Sequence, residues 1–343
     1  MQDIKELTLK ELEETLKSFG ANAYNARQIF SWIYKKGVSE FAQMSDLSQS
    51  LRDSLSKSFY ISGLAIVKKL KSSDGTQKLL FKLKDASLIE AVIIPAKGRI
   101  TGCLSTQVGC KFACRFCASG ISGFKRNLTS SEIIEEVLYL KRESLPERLT
   151  HLVFMGTGEP LDNYNEIIRA IRIINSPDGC NIGARRITIS TSGIIPGIQK
   201  LAGEGLQIEL SVSLHAAGEK LRTEIMPINE KYPLKELIAA CKEYVAKTNR
   251  QITFEYILIK GLNAGLKNAQ ELSKLLSGWK LAKVNLIPSN LISELKAAPP
   301  EKKDILAFRD YLIKHKVNVT LRKERGEDIN AACGQLRLTY AKE

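Results

Sequence analysis

The chain has 343 residues and a formal net charge of +14, with 51 Lys and Arg against 37 Asp and Glu. Its apolar residues are spread out, its first residues are charged and its seven cysteines are few for this length, which argues against a membrane protein, a secreted protein and a disulfide scaffold. We therefore expect a cytoplasmic protein with a polyanionic partner such as nucleic acid, although a solvated basic surface is the alternative explanation of the charge.

Three amphipathic helices are predicted within residues 1–60. Thr8 and Glu11 form a capping box before a run of apolar residues at helical spacing, and Gly20 is placed to end this first helix. A second helix is predicted from about Tyr24 to a stop at Gly37, and a third over residues 47–57. Together the helices form a small module that indicates binding rather than catalysis.

A β-meander is predicted over residues 61–95. Its β-rich runs cover residues 61–71, 77–83 and 87–94, and Asp74-Gly75 between the first two is a strong hairpin signal. Glu90 is the only acid in the third run. It is either a solvent-facing strand residue or a partly buried carboxylate that accepts a proton during catalysis.

Residues 96–343 alternate predicted strands with predicted helices. The strands lie near residues 99–105, 150–155, 186–190, 207–214, 251–259 and 283–287, with another near 317–321. The helices lie near residues 129–143, 164–174, 233–247 and 269–277. This alternation predicts an α/β fold with parallel strands, and about six units indicate a partial (β/α)6 barrel rather than the closed eight-stranded form.

A cysteine cluster follows the first barrel strand. Cys110, Cys114 and Cys117 are separated by three and then two residues. Three thiolates on one short loop can each bind one iron of a cubane [4Fe-4S] cluster and leave the fourth iron open. The alternative, a structural zinc site, usually takes four ligands in two pairs, and no second pair lies nearby. The spacing resembles the signature of radical S-adenosylmethionine (SAM) enzymes, in which SAM binds the open iron.

Short polar motifs follow the other predicted strands. In Gly156-Thr-Gly158-Glu159-Pro160, the glycines would let the backbone approach a ligand, and Glu159 could accept a hydrogen bond from a ligand ammonium. Further hydrogen-bonding side chains follow the third, fourth and sixth strands: Ser190, Ser192, Ser213, His215 and Asn290. Because the carboxyl ends of parallel strands meet, these groups predict a lined cofactor site, although His215 taken alone also suits a packed core position.

The ordered series of motifs resembles the radical SAM RNA adenine methyltransferases of the RlmN type. That family methylates C2 of adenosine in 23S rRNA and some tRNAs, and its sister family, the Cfr type, methylates C8. The similarity covers nearly the whole chain, at residues 26–34, 106–117, 158–160, 190–193, 213–215, 227–229, 285–288 and 325–333. It implies an RNA-binding N-terminal module, and a [4Fe-4S] cluster and S-adenosyl-L-methionine as cofactors.

The resemblance also implies roles for individual residues. The cysteine that matches Cys333 is methylated first, and a radical formed from a second SAM then abstracts hydrogen from that methyl group. Glu90 would remove the C2 proton of the covalent RNA adduct, and Cys103 would attack the sulfur of Cys333, releasing the product and leaving a disulfide. The implied cluster ligands are Cys110, Cys114 and Cys117, and the implied SAM contacts are Gly158, Glu159, Ser190, Ser213, Leu214, His215 and Asn290.

The resulting prediction is a monomeric enzyme that methylates adenosine C2 in 23S rRNA and tRNA. It would take electrons from an external one-electron donor such as flavodoxin. Methylation of C8 is one alternative, and a zinc-bearing RNA-binding protein without catalysis is another. Two features depart from the usual family pattern: Thr157 replaces a methionine, and residues 291–300 replace a Pro-Phe-Pro-rich loop.

Overall fold

The computed structural model of the chain describes residues 1–121, 123–289, 298–323, 325–332 and 334–336. Two of the predicted site residues, Asn290 and Cys333, lie outside these ranges. Across the described ranges, no helix combines the length and the apolar character needed to cross a bilayer. The predicted α/β class is confirmed, and a ten-stranded mixed sheet is the centre of the fold.

The three predicted N-terminal helices are present. Two short strands, β1 (Gln2–Asp3) and β2 (Phe59–Tyr60), pair in parallel around them. The helices are α1 (Leu9–Lys17), α2 (Ala23–Phe30) and α3 (Gln49–Ser58). The predicted capping box at Thr8 and Glu11 is formed. The second helix ends at Gly37 in the left-handed conformation, as predicted, but its last six residues, Ser31–Lys36, form a π-helical turn that was not predicted.

The predicted meander is also present, and it extends the barrel sheet. Its strands are β3 (Ala65–Lys71), β4 (Gln77–Lys82) and β5 (Leu88–Ala96), each antiparallel to the next. β5 then pairs in antiparallel fashion with β6 (Arg99–Cys103), the first barrel strand. Residues of the meander can therefore reach the barrel interior.

A short antiparallel hairpin that the sequence did not reveal follows β6. It consists of β7 (Gln107–Gly109) and β8 (Phe124–Asn127), and the cysteine cluster lies in the loop between them. Strands of three and four residues are too short for an alternation of apolar and polar side chains to be recognised.

The partial barrel consists of β6 and five further parallel strands, as predicted. These are β9 (His151–Phe154), β10 (Ile187–Thr191), β11 (Glu209–Ser213), β12 (Ile252–Leu258) and β13 (Ala282–Pro288). Each strand pairs with its neighbour in this order. The additional strand predicted near residues 317–321 is β14 (Asn318–Leu321), which pairs in parallel with β13.

The helices that follow the strands are α4 (Ser130–Glu143), α5 (Tyr164–Asn175), α6 (Ile195–Leu201), α7 (Glu219–Ile225), α8 (Leu234–Thr248), α9 (Leu266–Leu275) and α10 (Lys302–Lys314). The sequence predicted α4, α5, α8 and α9. It missed α6 and α7, which have only seven residues each, and α10. Pro196 lies in the first turn of α6, where proline is tolerated because its missing N–H would have no helical partner.

Two barrel helices hold the N-terminal helices in place. Lys5 forms a buried ion pair with Glu135 on α4, and Arg169 on α5 contacts the carboxylate of Glu11 on α1 at 2.6 Å. One continuous hydrophobic core includes buried residues of both parts. The N-terminal helices are therefore packed on the barrel rather than tethered to it.

Candidate active site

The turns after the barrel strands surround one cavity with the cysteine loop. Its lining comes mainly from the carboxyl ends of β9 to β13, the loop between β7 and β8 and the C-terminal segment. The predicted site residues on it are Cys110, Cys114, Cys117, Gly158, Glu159, Ser190, Ser213 and His215. The structure thus brings together groups that are distant in sequence, as expected for the carboxyl edge of a parallel sheet.

The hairpin closes the cysteine loop at its base. The Cys110 N–H donates to the Gly123 carbonyl at 3.1 Å. Gly109 has a φ of 77°, and a Cβ at this position would lie only 1.8 Å from the Gly123 carbonyl oxygen, so only glycine fits here. Further along, the Cys117 N–H donates to the Cys114 carbonyl at 3.0 Å, so that the loop turns back on itself.

The surroundings of Cys110 and Cys114 disfavour their thiolate forms unless a metal is bound. Burial, together with the charge of neighbouring thiols, raises the pKa of Cys110 to about 11 and that of Cys114 well above its usual range. In the part of the chain that is described, no three His, Cys, Asp or Glu side chains converge on a single ion position. Three thiols around a shared cavity can supply one thiolate to each of three irons of a polynuclear cluster, whereas a structural zinc site usually takes four ligands.

The glycines of the turn after β9 have a structural role beside the predicted one. Gly156 and Gly158 both line the cavity, and both also make room for the chain itself. A Cβ on Gly156 would lie 2.6 Å from the carbonyl oxygen of Leu104, and one on Gly158 would lie 2.6 Å from the Cβ of Gln107. Both glycines are needed because the turn packs directly against residues 104–107.

Of the two departures from the family pattern, Thr157 lies within the described residues. Thr157 is buried, and its backbone forms the hydrogen bonds of the turn: its N–H donates to Ser105 Oγ at 3.0 Å and its carbonyl accepts from the Thr106 N–H at 2.8 Å. These bonds do not depend on the side chain at position 157. Most of the replaced loop, residues 291–297, lies outside the described residues.

Glu159 joins two strand ends. Its Oε1 accepts from the Leu161 N–H at 3.0 Å, and its Oε2 accepts from the Ser192 N–H at 2.6 Å. Burial raises the pKa of Glu159, and the hydrogen bond from the Ser192 backbone N–H opposes that effect. The carboxylate therefore fixes the turn after β9 against the end of β10, in addition to lining the cavity.

His215 is buried, with a left-handed φ of 58°. Its Nδ1 accepts from the Ile257 N–H at 3.0 Å, so the neutral ring carries its hydrogen on Nε2. Burial, followed by the charge of Arg222, lowers the pKa of His215 to about 3 and keeps it neutral near pH 7. Within the described residues, neither Nε2 nor the Ser192 hydroxyl has a hydrogen-bond partner, although both are buried and both residues line the cavity. Buried polar groups without partners are better explained by a bound polar ligand than by a purely structural role of His215.

One predicted cofactor contact, Leu214, is not among the residues that line the cavity. Leu214 is fully buried in the hydrophobic core, and its N–H donates to the Glu255 carbonyl at 3.0 Å. Its side chain therefore packs with the core rather than lining the cavity. Asn290 lies outside the described residues, immediately after Ser289.

A second cavity, of about 550 Å³, lies towards the amino ends of the same strands. Five basic residues line it: Arg99, Lys283, Arg322, Lys323 and Arg325. Cys103 and Ala332 also line it, and Met155 and Glu255 are shared with the first cavity. The two cavities therefore adjoin inside the barrel, and the second is suited to a negatively charged ligand.

The C-terminal segment lies between Cys103 and the cysteine loop. Ala331 and Leu336 pack in a small apolar cluster with Cys103. The Gly334 carbonyl accepts from the Ala118 N–H at 2.7 Å, directly after the last cluster cysteine. Cys333 lies outside the described residues, but its neighbours on both sides are held at this position.

Glu90 is fully buried, so its interpretation as a solvent-facing strand residue is wrong. Lys78 on β4, also buried, places its ammonium 3.2 Å from Glu90 Oε1. The same ammonium donates to the Asn330 carbonyl at 3.2 Å. The bond to Asn330 places this ion pair beside the C-terminal segment, and both side chains are buried rather than at the surface.

Arg222 is a residue of the site that the sequence did not single out. It is fully buried on α7, and its guanidinium donates to the carbonyls of Ser192 and Ser213. The neighbouring motif Pro227-Ile-Asn229 was the only signal in the sequence near it. An arginine in a short helix is ordinarily expected at the surface, so the burial of Arg222 could be seen only in the tertiary structure.

Comparisons with known proteins agree with this architecture. The model of the radical SAM superfamily matches residues 104–271, and the model of the ribosomal RNA large subunit methyltransferase N-terminal domain matches residues 2–61. A crystal structure of a radical SAM methyltransferase from Sphaerobacter thermophilus is 43% identical, with a TM-score of 0.93 over 98% of this chain and 99% of that one. A partial barrel with a three-cysteine loop at the carboxyl ends of its strands defines the chain as a radical SAM protein.

Full-length relatives narrow the family. A Clostridium novyi protein described as "Probable dual-specificity RNA methyltransferase RlmN" is 47% identical over 99% of both chains. A protein of the same description from Geobacillus kaustophilus is 46% identical over 100% of this chain and 94% of the relative. The chain belongs to the RlmN family of dual-specificity RNA methyltransferases.

Proposed function

We propose that this protein methylates C2 of adenosine in 23S rRNA and tRNA by a radical route that passes through a methyl group on Cys333. It works as a cytoplasmic monomer and takes electrons from an external donor such as flavodoxin. The observation that carries the proposal is the position of the C-terminal segment. Residues on both sides of Cys333 lie between Cys103 and the cysteine loop.

The cofactors have a place that suits them. Cys110, Cys114 and Cys117 would hold a [4Fe-4S] cluster, and the orphaned donors of Ser192 and His215 would face bound SAM. When bound, the two cofactors supply a carbon-centred radical that abstracts hydrogen from a methyl group. Adenine C2 is electron-poor, so a carbon radical can add where transfer of a methyl cation from a sulfonium would fail.

Three protein groups then complete the reaction. Cys333 carries the methyl group and becomes covalently joined to adenine C2 through it. The adduct gives up its unpaired electron, which the oxidised cluster would accept, and Glu90, buried beside Lys78, accepts the proton that leaves C2. The Cys103 thiolate attacks the sulfur of Cys333, a disulfide forms, and the bond from that sulfur to the methylene carbon breaks with its electron pair going to the carbon, which takes up a proton to become the methyl group. Reduction of the disulfide by an external reductant restores both thiols.

The decisive experiment compares the wild-type protein with Cys333→Ser. Anaerobically purified wild-type protein is expected to be brown, with about four irons per chain, and to yield a tryptic peptide with methylated Cys333. It should convert adenosine in 23S rRNA and tRNA transcripts to 2-methyladenosine, detected by mass spectrometry of the digested RNA. Cys333→Ser should retain the iron and lose the product.

Three results would contradict the proposal in different ways. A colourless wild-type protein that holds zinc would support the non-catalytic RNA-binding alternative. 8-Methyladenosine as the product would assign the reaction to the Cfr type. Full turnover by Cys333→Ser would show that the methyl group does not pass through this thiol.

A further inference from the structure

Arg222 has no role in the reaction steps proposed above. It lies on α7, and its relative exposure is 0%. One guanidinium nitrogen, Nη2, donates to the Ser192 carbonyl at 2.8 Å and to the Ser213 carbonyl at 3.2 Å. The other, Nη1, donates to Asn229 Oδ1 at 2.6 Å. The side chain thus joins the ends of β10 and β11, which carry the hydroxyl and imidazole groups of the cavity.

The guanidinium keeps its charge in this buried place. Its acceptors are two backbone carbonyls and an amide oxygen rather than carboxylates, and its Nε has no hydrogen-bond partner within the described ranges. Burial lowers the pKa of Arg222 to about 10, which still leaves it protonated near pH 7. Burying a cation is costly, so a charge held here without a directly bonded carboxylate calls for a functional reason.

The cysteine loop lies within electrostatic reach of this charge. Cys114 lines the same cavity as Ser192 and Ser213, whose carbonyls the Arg222 guanidinium bonds. The loop is also bonded to the same helix, because the Arg115 N–H donates to the Ile225 carbonyl at 3.0 Å and the Arg115 guanidinium lies 2.8 Å from a Glu224 carboxylate oxygen. α7 therefore carries a fixed positive charge against the inner side of the loop.

We infer that Arg222 is a positioning residue that holds the strand ends of the SAM site and makes the iron–sulfur cluster easier to reduce. An added electron makes a cluster more negative, and a fixed positive charge nearby stabilises that state, most strongly in a buried, low-dielectric place. Its two carbonyl bonds keep Ser192 and Ser213 at a fixed separation. The inference rests on the proposed function, because it requires a redox-active cluster at Cys110, Cys114 and Cys117.

Two substitutions separate the two effects in the cluster-loaded protein. Arg222→Met removes both the charge and the hydrogen bonds, whereas Arg222→Lys keeps the charge and loses the fork that spans two carbonyls. The midpoint potential is measured by a redox titration followed by electron paramagnetic resonance, and SAM binding is measured by equilibrium dialysis. Arg169→Met is the matched control, since that arginine bonds to the N-terminal helices on the outer side of the barrel.

For Arg222→Met we expect about a tenfold lower ratio of reduced to oxidised cluster at a given potential, a fall of about 59 mV for a one-electron couple. Arg222→Lys should stay near the wild-type potential but bind SAM about tenfold more weakly. Arg169→Met should change neither quantity. If Arg222→Met does not fold, Asn229→Asp serves instead, because it places a carboxylate at the atom that Arg222 already contacts and should lower the potential.

A cluster of unchanged potential in Arg222→Met, or in Asn229→Asp if that variant replaces it, would overturn the electrostatic part of the inference. Unchanged SAM affinity in Arg222→Lys would overturn the positioning part. A wild-type protein with no reducible cluster would instead refute the proposed function, so the two failures are distinguishable.

Discussion

Gly109 and Gly123 meet at the base of the loop that carries Cys110, Cys114 and Cys117. Both have left-handed φ values, but a Cβ on Gly109 would lie 1.8 Å from the Gly123 carbonyl oxygen, whereas a Cβ on Gly123 would meet no atom of the described residues within 4 Å. We predict that Gly109→Ala opens the hairpin and lowers the iron content from about four to below about one per chain. The measurement is iron per chain after anaerobic reconstitution.

Gly123→Ala is the control for that substitution. It carries the same kind of backbone strain, about 1 kcal/mol, without the collision. It should therefore keep most of its iron. Equal iron contents in the two alanine variants would show that the contact between Gly109 and Gly123 does not shape the cluster loop.

The buried ion pair of Lys78 and Glu90 supports a second prediction at the residue scale. Their side chains are 4% and 0% exposed, and the ammonium lies 3.2 Å from the carboxylate. Lys78→Met should lower the free energy of unfolding by about 3–5 kcal/mol, because it leaves a buried carboxylate without this cation. The measurement is urea denaturation followed by circular dichroism.

The double substitution Lys78→Met/Glu90→Leu is the matched control for the ion pair. Removing both charges together should restore most of the lost stability, because no buried charge is then left behind. A double variant no more stable than Lys78→Met would show that packing, and not the charge on Glu90, explains the loss.

At the scale of elements, the turn between β3 and β4 holds the C-terminal segment. Asp74 Oδ2 accepts from the Gly326 N–H at 3.1 Å, and the Ser73 N–H donates to Asp328 Oδ2 at 3.1 Å. Burial raises the pKa of Asp74, but hydrogen bonds from Thr76 and Gly326 outweigh it and lower the pKa to about 2. This contact is therefore fully present above the ordinary value of 3.8 and is lost as the pH falls through about 2.

We predict that Asp74→Asn loosens this segment at neutral pH. Cleavage by trypsin after Arg325 should become about tenfold faster, because a hydrogen bond to a charged acceptor is replaced by a weaker one. Asp85→Asn is the control. Asp85 lies in the turn between β4 and β5, where its carboxylate accepts hydrogen bonds from Ser87 and Arg126. Its substitution should leave the C-terminal segment unchanged. Identical cleavage rates in both variants would contradict the role of the turn.

At the scale of the whole molecule, the net charge of +14 predicts that RNA binding weakens as the salt concentration rises. Raising the salt from about 50 to about 200 mM should weaken binding by about a thousandfold if roughly six phosphates are neutralised. Lys323→Gln at the second cavity should reduce the slope of log affinity against log salt by about one. Fluorescence anisotropy with labelled RNA measures both quantities.

Lys17→Gln is the corresponding control. Lys17 already contacts Glu14 at 2.7 Å on the outer surface of α1, so its loss should leave the slope unchanged. Binding that does not depend on salt would show that the excess of basic residues forms a solvated surface rather than a phosphate-binding one.

Much of the fold could be predicted because its signals are local. The capping box of Thr8 and Glu11 and the Asp74-Gly75 turn each depend on residues a few positions apart, and both are formed. Apart from α10, a helix of 13 residues, the elements that were missed are short or irregular: β7, β8, α6, α7 and the π-helical turn at Ser31–Lys36. Each is too short to display a clear period of apolar residues, or departs from that period.

The sequence by itself determined the three-thiol loop, the order of the barrel strands and the polar motifs at the strand ends, since each follows from spacing along a short stretch. Only the tertiary structure decided that Glu90 is buried beside Lys78, that Gly156 and Gly158 make room for the chain itself, and that Arg222 lies behind the cysteine loop. Burial depends on which faces of distant strands and helices come to cover one another, and no local pattern encodes that.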